Sequence, residues 1–504
     1  MKQPVPPRIG QMGAIVQGQP VVVCVPDGRG PATGIAWLDE PVERLLRDGL
    51  LCGKAATLAL ALRDGQSVPL VAVPLDGDGS PQDVRLRAAE GIALLRTRRQ
   101  ARCTVVLPAD GPTAQWVTEG VLAANHSYES AGAARDGRPA PLQIDFVASG
   151  GGAGVGQAVH AGWLTSVATL AARDLVTEPA NILTPPRFVE YCREKAAQAN
   201  FDILVMGRAE LEDAGMGGLL AVASGSRYEP YLVRMDWRPT GAPAEVSPIV
   251  LVGKTVTFDS GGISLKNPQD MDFMKADMGG GAAIFGAMSM IAELKPAFPV
   301  TALFAVVENM PDAHAMRPSD VIRMASGATV EIINTDAEGR LILADALHVA
   351  AGLNPRVVID LATLTGATLG TFGPIGTTVF ANDTPWFERL ARADERAGEM
   401  IWRMPLWPQY RQFLESPVAD SRHYATTGQN GSTPVAAAFL SQFIGSHPWL
   451  HLDIYNTCWN HRANALMPQG PTGSGSRVLA QLILDLAADA DLPSSPENIE
   501  RKSV

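Results

Sequence analysis

The chain has 504 residues, 46% hydrophobic and 18% charged, with a net charge of −11. That composition can bury a large core over roughly two to four domains, and the acidic balance disfavours a general nucleic-acid binder, which needs basic patches to meet phosphate. No apolar run approaches the roughly 18 residues of a spanning helix, the N-terminus lacks the h-region of a signal peptide, and the five scattered cysteines (Cys24, Cys52, Cys103, Cys192, Cys458) form no CxxC; a cytoplasmic protein fits best.

From the N-terminus, short β-branched runs ("QPVVVCV", "SVPLVAVPL", "ARCTVVLP", "LQIDFVA") alternate with segments of helical spacing ("PVERLLRDGLL", "DVRLRAAEGIALLRTRRQ", "TAQWVTEGVLAANHS"). That alternation predicts an α/β domain over residues 1–160. Its one dense basic stripe, "LLRTRRQARC", reads as a solvated helix face. The glycine-rich 148–162 fits neither GxGxxG nor a GK[ST] loop and reads as a flexible linker. A helix through 161–185 then leads to a second α/β pattern over 186–490, before a tail at 491–504. Its expected strands are "FDILVMG", "YLVRMDW", "PIVLVGKTVTF", "VTALFAVVE", "TVEIIN" and "RVVIDLAT". Its expected helices are "GGAAIFGAMSMIAELK", "GRLILADALHVAAGL", "WFERLARADERAGEM" and "TPVAAAFLSQFI". The fold class is therefore α/β, with a mixed, largely parallel sheet flanked by helices in the second domain. Ligands of such sheets sit beyond the carboxyl ends of the strands.

Two segments concentrate charge there. "VGKTVTFDSGGISLKNPQDMDFMKADM" carries Lys254 inside an apolar strand, then Asp259, Lys266 and Asp277; "NTDAEGRL" carries Asp336, Glu338 and Arg340 on every second residue. Taken singly, each acid has a plain structural reading as a turn residue or helix cap. Together they do not, because a buried lysine needs a partner and four acids with two lysines cannot all be solvated caps. An excess of hard oxygen donors suggests divalent cations, and a bridging carboxylate could serve two of them. A lysine ligand would have to be neutral. There is no HExxH, and His160, His314, His348 and His451 read as core histidines.

These segments resemble the signature of the leucyl aminopeptidase (cytosol aminopeptidase) family of dizinc exopeptidases. The similarity continues through "LVTEPANILTP", "DLATLTGA", "GSTPVAAAFL" and "HLDI", roughly residues 165 to 485. The resemblance implies release of the N-terminal residue from short peptides by a cytoplasmic hexamer. One ion would be held by Asp259, Asp336 and Glu338, the other by Lys254, Asp259, Asp277 and Glu338. The ions would be zinc or manganese, with cobalt or magnesium at the exchangeable site. Lys266 would polarise the carbonyl, and Arg340 would hold a bicarbonate acting as general base. Met274, Thr363, Leu364, Gly366 and Tyr455 would line the substrate pocket.

Two departures stand out. Thr255 replaces the glycine that usually follows the motif lysine, and "HLDI" is followed by Tyr455, Asn456, Thr457 and Cys458 in place of Ala-Gly-Thr-Ala. They leave the metal chemistry intact and put side-chain preference in question, since a tyrosine would narrow the pocket unless it turned into the core. Two rival readings remain at this stage: a dimetal amidase on a non-peptide substrate, and a DNA-binding regulator.

Overall fold

A computed structural model describes residues 3–10, 19–25, 33, 35–48, 50–51, 56–64, 66–75, 79–128, 140–148, 153–243, 245–426 and 431–489. Cys52, residues 149–152 and the expected tail at 491–504 lie outside the described residues. The chain divides into two compact units. The first holds residues 1–170, 395–398 and 460–470; the second holds 171–394, 399–459 and 471–504.

The first unit is built on a six-stranded sheet in the order Arg8–Gly10, Gln143–Ala148, Arg102–Leu107, Val21–Val25, Gln66–Pro74, Thr57–Arg63. Every pairing is parallel except the last. Val21–Val25 and Arg102–Leu107 are apolar runs buried almost throughout, as strands covered on both faces must be. Helices Pro81–Thr97 and Gly111–Asn125 start where the Ser80 and Asp110 side chains accept the backbone N–H groups of Asp83 and Thr113. In the basic stripe, Arg98 and Arg99 are exposed, while Arg96 bonds the carbonyl of Ala124. The glycine-rich segment is not a loop from 153 onward. Gly154, Gly156 and Gly162 lie inside the helix Ala153–Thr177, and a Cβ at Gly162 would stand 2.7 Å from the Gln115 carbonyl oxygen and 3.0 Å from Thr118 Cβ. Gly162 serves close packing, whereas a side chain at Gly154 or Gly156 would meet nothing within 4 Å.

The second unit contains an eight-stranded sheet in the order Ile401–Arg403, Thr377–Ala381, Trp449–Asp453, Val357–Ala362, Ile249–Asp259, Val300–Asn309, Tyr231–Trp237, Asp202–Met206. The four central strands run parallel, and antiparallel pairings flank them. Helices Gly279–Leu294 and Gly339–Gly352 pack on these central strands and bury nearly every residue. Thr255 is fully buried where the first turn of the Gly279–Leu294 helix crosses its strand. A Cβ at Gly281 would stand 2.1 Å from Thr255 Oγ1, so the missing side chain on the helix makes room for the threonine.

One expected strand is placed differently. Only Thr329–Glu331 of "TVEIIN" is extended, and it belongs to a separate three-stranded sheet with Val321–Arg323 and Ser421–Arg422. "NTDAEGRL" therefore does not prolong a strand of the central sheet. It is a turn that feeds the Gly339–Gly352 helix. The short strands Thr377–Ala381, Ile401–Arg403 and Trp449–Asp453 complete the sheet without having been read from the sequence, because three to five residues carry too little periodicity.

Candidate metal centre

Strand Ile249–Asp259 supplies the floor of the site. Lys254 is 3% exposed, and its Nζ lies 2.7 Å from Asp277 Oδ1, 2.9 Å from Glu338 Oε1 and 2.8 Å from the Thr363 carbonyl oxygen. Its path is open because residue 339 is glycine: a Cβ there would stand 2.5 Å from Lys254 Cε. At the strand end, Asp259 Oδ1 accepts from the Gly261 N–H at 2.9 Å and from Asn309 Nδ2 at 2.8 Å. Asp259 Oδ2 faces Lys266 Nζ at 2.8 Å, and Lys266 also reaches Asp336 Oδ1 at 2.5 Å. Thr335 and Ser264 tie the two motif loops together. Ser264 N donates to Thr335 Oγ1, Thr335 N donates to Ser264 Oγ, and Thr335 Oγ1 donates to the Gly261 carbonyl.

Asp259 does close a turn through Gly261, but only with Oδ1. Asp277 is not the cap of the following helix, whose N-cap is Met278 with no side-chain bond. Glu338 occupies the N-cap position of Gly339–Gly352 without making a cap bond.

Burial raises the pKa of Asp259 to about 7, aided by Glu338 and opposed by Lys266. Burial likewise raises Asp277 and Asp336, each opposed by the nearest lysine. Glu338 goes the other way. Burial pushes it up, but Lys254 and Lys266 outweigh that and hold it below the usual carboxylate range. For Lys254, burial pulls downward and Asp277, Glu338 and Asp259 pull upward more strongly.

The donor set fits divalent cations. Asp277 Oδ2 and Glu338 Oε2 are buried without a hydrogen-bond partner. One oxygen each of Asp259, Asp336 and Glu338 lies within 4.8 Å of the others. Buried anionic oxygens without a donor are what a hard cation satisfies.

Arg340 follows on the helix and is 2% exposed. Its Nη1 donates to the His423 carbonyl at 3.0 Å, its guanidinium lies over the Tyr424 ring at 5.2 Å, and burial lowers its pKa to about 10. Its Nε is buried without a hydrogen-bond partner.

A family model for the catalytic domain of the cytosol aminopeptidase family matches residues 170–480. The chain belongs to the cytosol aminopeptidase family. It is a hydrolase of the aminopeptidase class, as the resemblance implied. A probable cytosol aminopeptidase of Roseiflexus castenholzii is 40% identical over 470 residues, covering 89% of this chain and 94% of the relative. One of Syntrophotalea carbinolica is 41% identical over 439 residues, covering 84% and 88%. Among solved structures, the bottromycin maturation enzyme BotP in complex with Mn shares 32% identity at a TM-score of 0.81, covering 93% of this chain and 100% of that one.

In this aminopeptidase the remaining sequence-predicted residues gather less completely. Thr363 is buried and its Oγ1 donates to Asp277 Oδ1 at 2.8 Å, so it belongs to the charged network itself. Leu364 packs its side chain on the hydrophobic core. Gly366 and Tyr455 face each other: a Cβ at Gly366 would lie 3.6 Å from Tyr455 Cε1. Tyr455 is partly exposed and stands against this turn. Met274 rides on the same short helix as Asp277, Pro268–Met278, and is partly buried.

Sequence reasoning missed three buried residues that brace the site. Asp453 accepts from Leu364 N, Thr365 N, Thr365 Oγ1 and Tyr455 N, and so shapes the 363–366 turn. His423 lies under the 331–334 segment, with Nε2 2.8 Å from the Asn334 carbonyl and Nδ1 3.3 Å from Ile333 N. Asn309 contacts Asp259 directly. The only local signal was a polar residue closing an apolar strand, as Asn309 and Asp453 do. Of the four histidines read as core residues, only His451 is buried; His160, His314 and His348 are exposed.

Proposed function

We propose that this enzyme releases the N-terminal residue of short peptides at a centre of two divalent ions. Asp259, Asp336 and Glu338 would hold one ion; Lys254, Asp259, Asp277 and Glu338 would hold the other. When bound, the pair supplies Lewis acidity and an activated water. The observation that carries this reading is the convergence of four carboxylates, two of them with a buried oxygen that no donor satisfies. A free α-amine on the substrate would offer its lone pair to the bound ions, so a peptide with a blocked amine would not be turned over. Lys266, partly exposed, would turn from Asp259 and Asp336 to the scissile carbonyl and donate to the developing oxyanion. Arg340, buried and with Nε unpartnered, would seat a bicarbonate ion, which would supply the general base. The manganese named for BotP supports manganese as readily as zinc, with cobalt or magnesium at the exchangeable site.

Thr363, Gly366 and Tyr455, with Met274 and the backbone of Leu364, would form the pocket for the first side chain. The hexamer implied by the resemblance suits the exposed apolar surface of Ile375, Met400 and Trp402, the last on the edge strand Ile401–Arg403. A cytoplasmic site is supported by the relatives' names; among the described residues no helix is long and apolar enough to cross a membrane. The test is chelation followed by addition of manganese, zinc or cobalt, assayed on aminoacyl and N-acetyl-aminoacyl substrates. Activity should vanish, return with the ion, and remain absent on the blocked amine. Full turnover by protein shown by elemental analysis to be metal-free would overturn the proposal.

A further inference from the structure

We infer that Asn309 is a positioning residue of the metal centre, fixing how Asp259 presents its carboxylate and where the 334–338 loop lies; this rests on the two-ion reading above. Asn309 closes strand Val300–Asn309, and the register with Ile249–Asp259 shifts between Val307 and Asn309, so that Asn309 pairs with Asp259. It is 2% exposed. Nδ2 donates to Asp259 Oδ1 at 2.8 Å and to the Thr335 carbonyl at 3.1 Å, which uses both of its hydrogens. Its backbone carbonyl accepts from Ser260 N at 3.0 Å and from Ser260 Oγ at 2.8 Å. One residue therefore ties together the end of the Lys254 strand, the Ser260–Gly262 turn and the loop carrying Asp336 and Glu338.

The chemistry requires an amide. Two hydrogens on one neutral nitrogen can serve two acceptors that belong to different chain segments. A lysine or arginine would add a cation beside the ions, a serine has one hydrogen, and an aspartate would set a third oxygen against Asp259 Oδ1 and Thr335 O. With Gly261 N and Asn309 both on Oδ1, the Asp259 carboxylate cannot turn about its Cβ–Cγ bond without losing two donors. Its Oδ2 is then the oxygen left facing Lys266 and the cluster. Thr335, held through its carbonyl, immediately precedes Asp336, so the same amide sets the distance between the two carboxylates. Partners that orient ligands in this way cost about 10- to 100-fold in metal affinity or activity when removed.

The test uses Asn309→Ala, with Asn309→Ser as a milder second variant, and manganese chloride as the probe. Manganese affinity is measured by competition with a fluorescent indicator, alongside the melting temperature of the chelated and loaded protein. Asp259→Asn serves as the reference for a lost ligand. We expect both Asn309 variants to keep the wild-type far-UV spectrum, to bind manganese about 10- to 100-fold more weakly, and to show a smaller metal-induced rise in melting temperature. kcat at limiting manganese should fall further than kcat at saturating manganese. A merely structural residue would lower the melting temperature of the chelated protein and leave manganese affinity at the wild-type value; that result overturns the inference while leaving the two-ion reading intact. If wild type itself bound manganese no better than Asp259→Asn, the two-ion reading would fall and this inference with it.

Discussion

Replacing Gly339 by alanine tests the construction of the site at its tightest point. The new Cβ would stand 2.5 Å from Lys254 Cε and 2.7 Å from Nζ. Carbon atoms in ordinary contact sit about 3.5–4.0 Å apart, so the end of Lys254 must retreat by about 1 Å or more. It cannot retreat freely, because Nζ is held by Asp277, Glu338 and the Thr363 carbonyl. Overpacking of this kind costs about 1–3 kcal/mol. Alanine in place of glycine in a helix returns up to about 1 kcal/mol. The net loss of stability is then about 0–3 kcal/mol, a shift of up to several degrees in melting temperature. Activity should suffer far more, since a displacement of about 1 Å at a reacting group costs about 100-fold. Hydrolysis of an aminoacyl p-nitroanilide with added manganese, thermal melting and metal analysis separate the two effects. A variant that kept kcat/KM within about threefold of wild type would show that Lys254 is not held as described.

The other predictions address separate roles. Glu338→Gln should deplete both ions, whereas Arg340→Ala should leave them bound and slow turnover by about 10- to 10,000-fold, as loss of a general base does; equal metal loss in the two variants, by elemental analysis, would merge their roles. Tyr455→Ala should raise kcat/KM for leucyl relative to alanyl substrates, because the ring stands against Gly366 and a pocket distinguishes about 1–3 kcal/mol per methylene; an unchanged ratio in a folded, metal-loaded variant would remove Tyr455 from the pocket. His423 sets a pH dependence. Burial, then Arg340, lowers its pKa from 6.5 to about 4. Below pH 6.5 the unfolded chain binds a proton that the native chain refuses, so this part of the stability is complete above 6.5 and is lost as pH falls through about 4. The loss amounts to about 3 kcal/mol. Chemical denaturation at several pH values should show a shallower slope in His423→Gln than in wild type, and parallel slopes would refute the assignment.

The inner strands Ile249–Asp259 and Val300–Asn309 could be read from the chain because burial on both faces demands long apolar runs. The residue types of the site were equally visible, since Lys254 inside an apolar strand has no local explanation. Local pattern reached no further than a single element. It extended "TVEIIN" along the central sheet, although three of those residues form another sheet and the rest turn toward a helix. It took the glycines after 152 for a linker, although they lie in a helix and Gly162 lets that helix pack closely. Only the tertiary structure decided which atoms meet. Lys254 and Thr363 are 109 positions apart, Asn309 and Asp259 are 50 apart, and Arg340 and His423 are 83 apart. Hydrophobic periodicity is a property of consecutive residues, whereas the orientation of a buried carboxylate depends on donors brought from other strands and loops, and those pairings exist only once the sheet has closed around them.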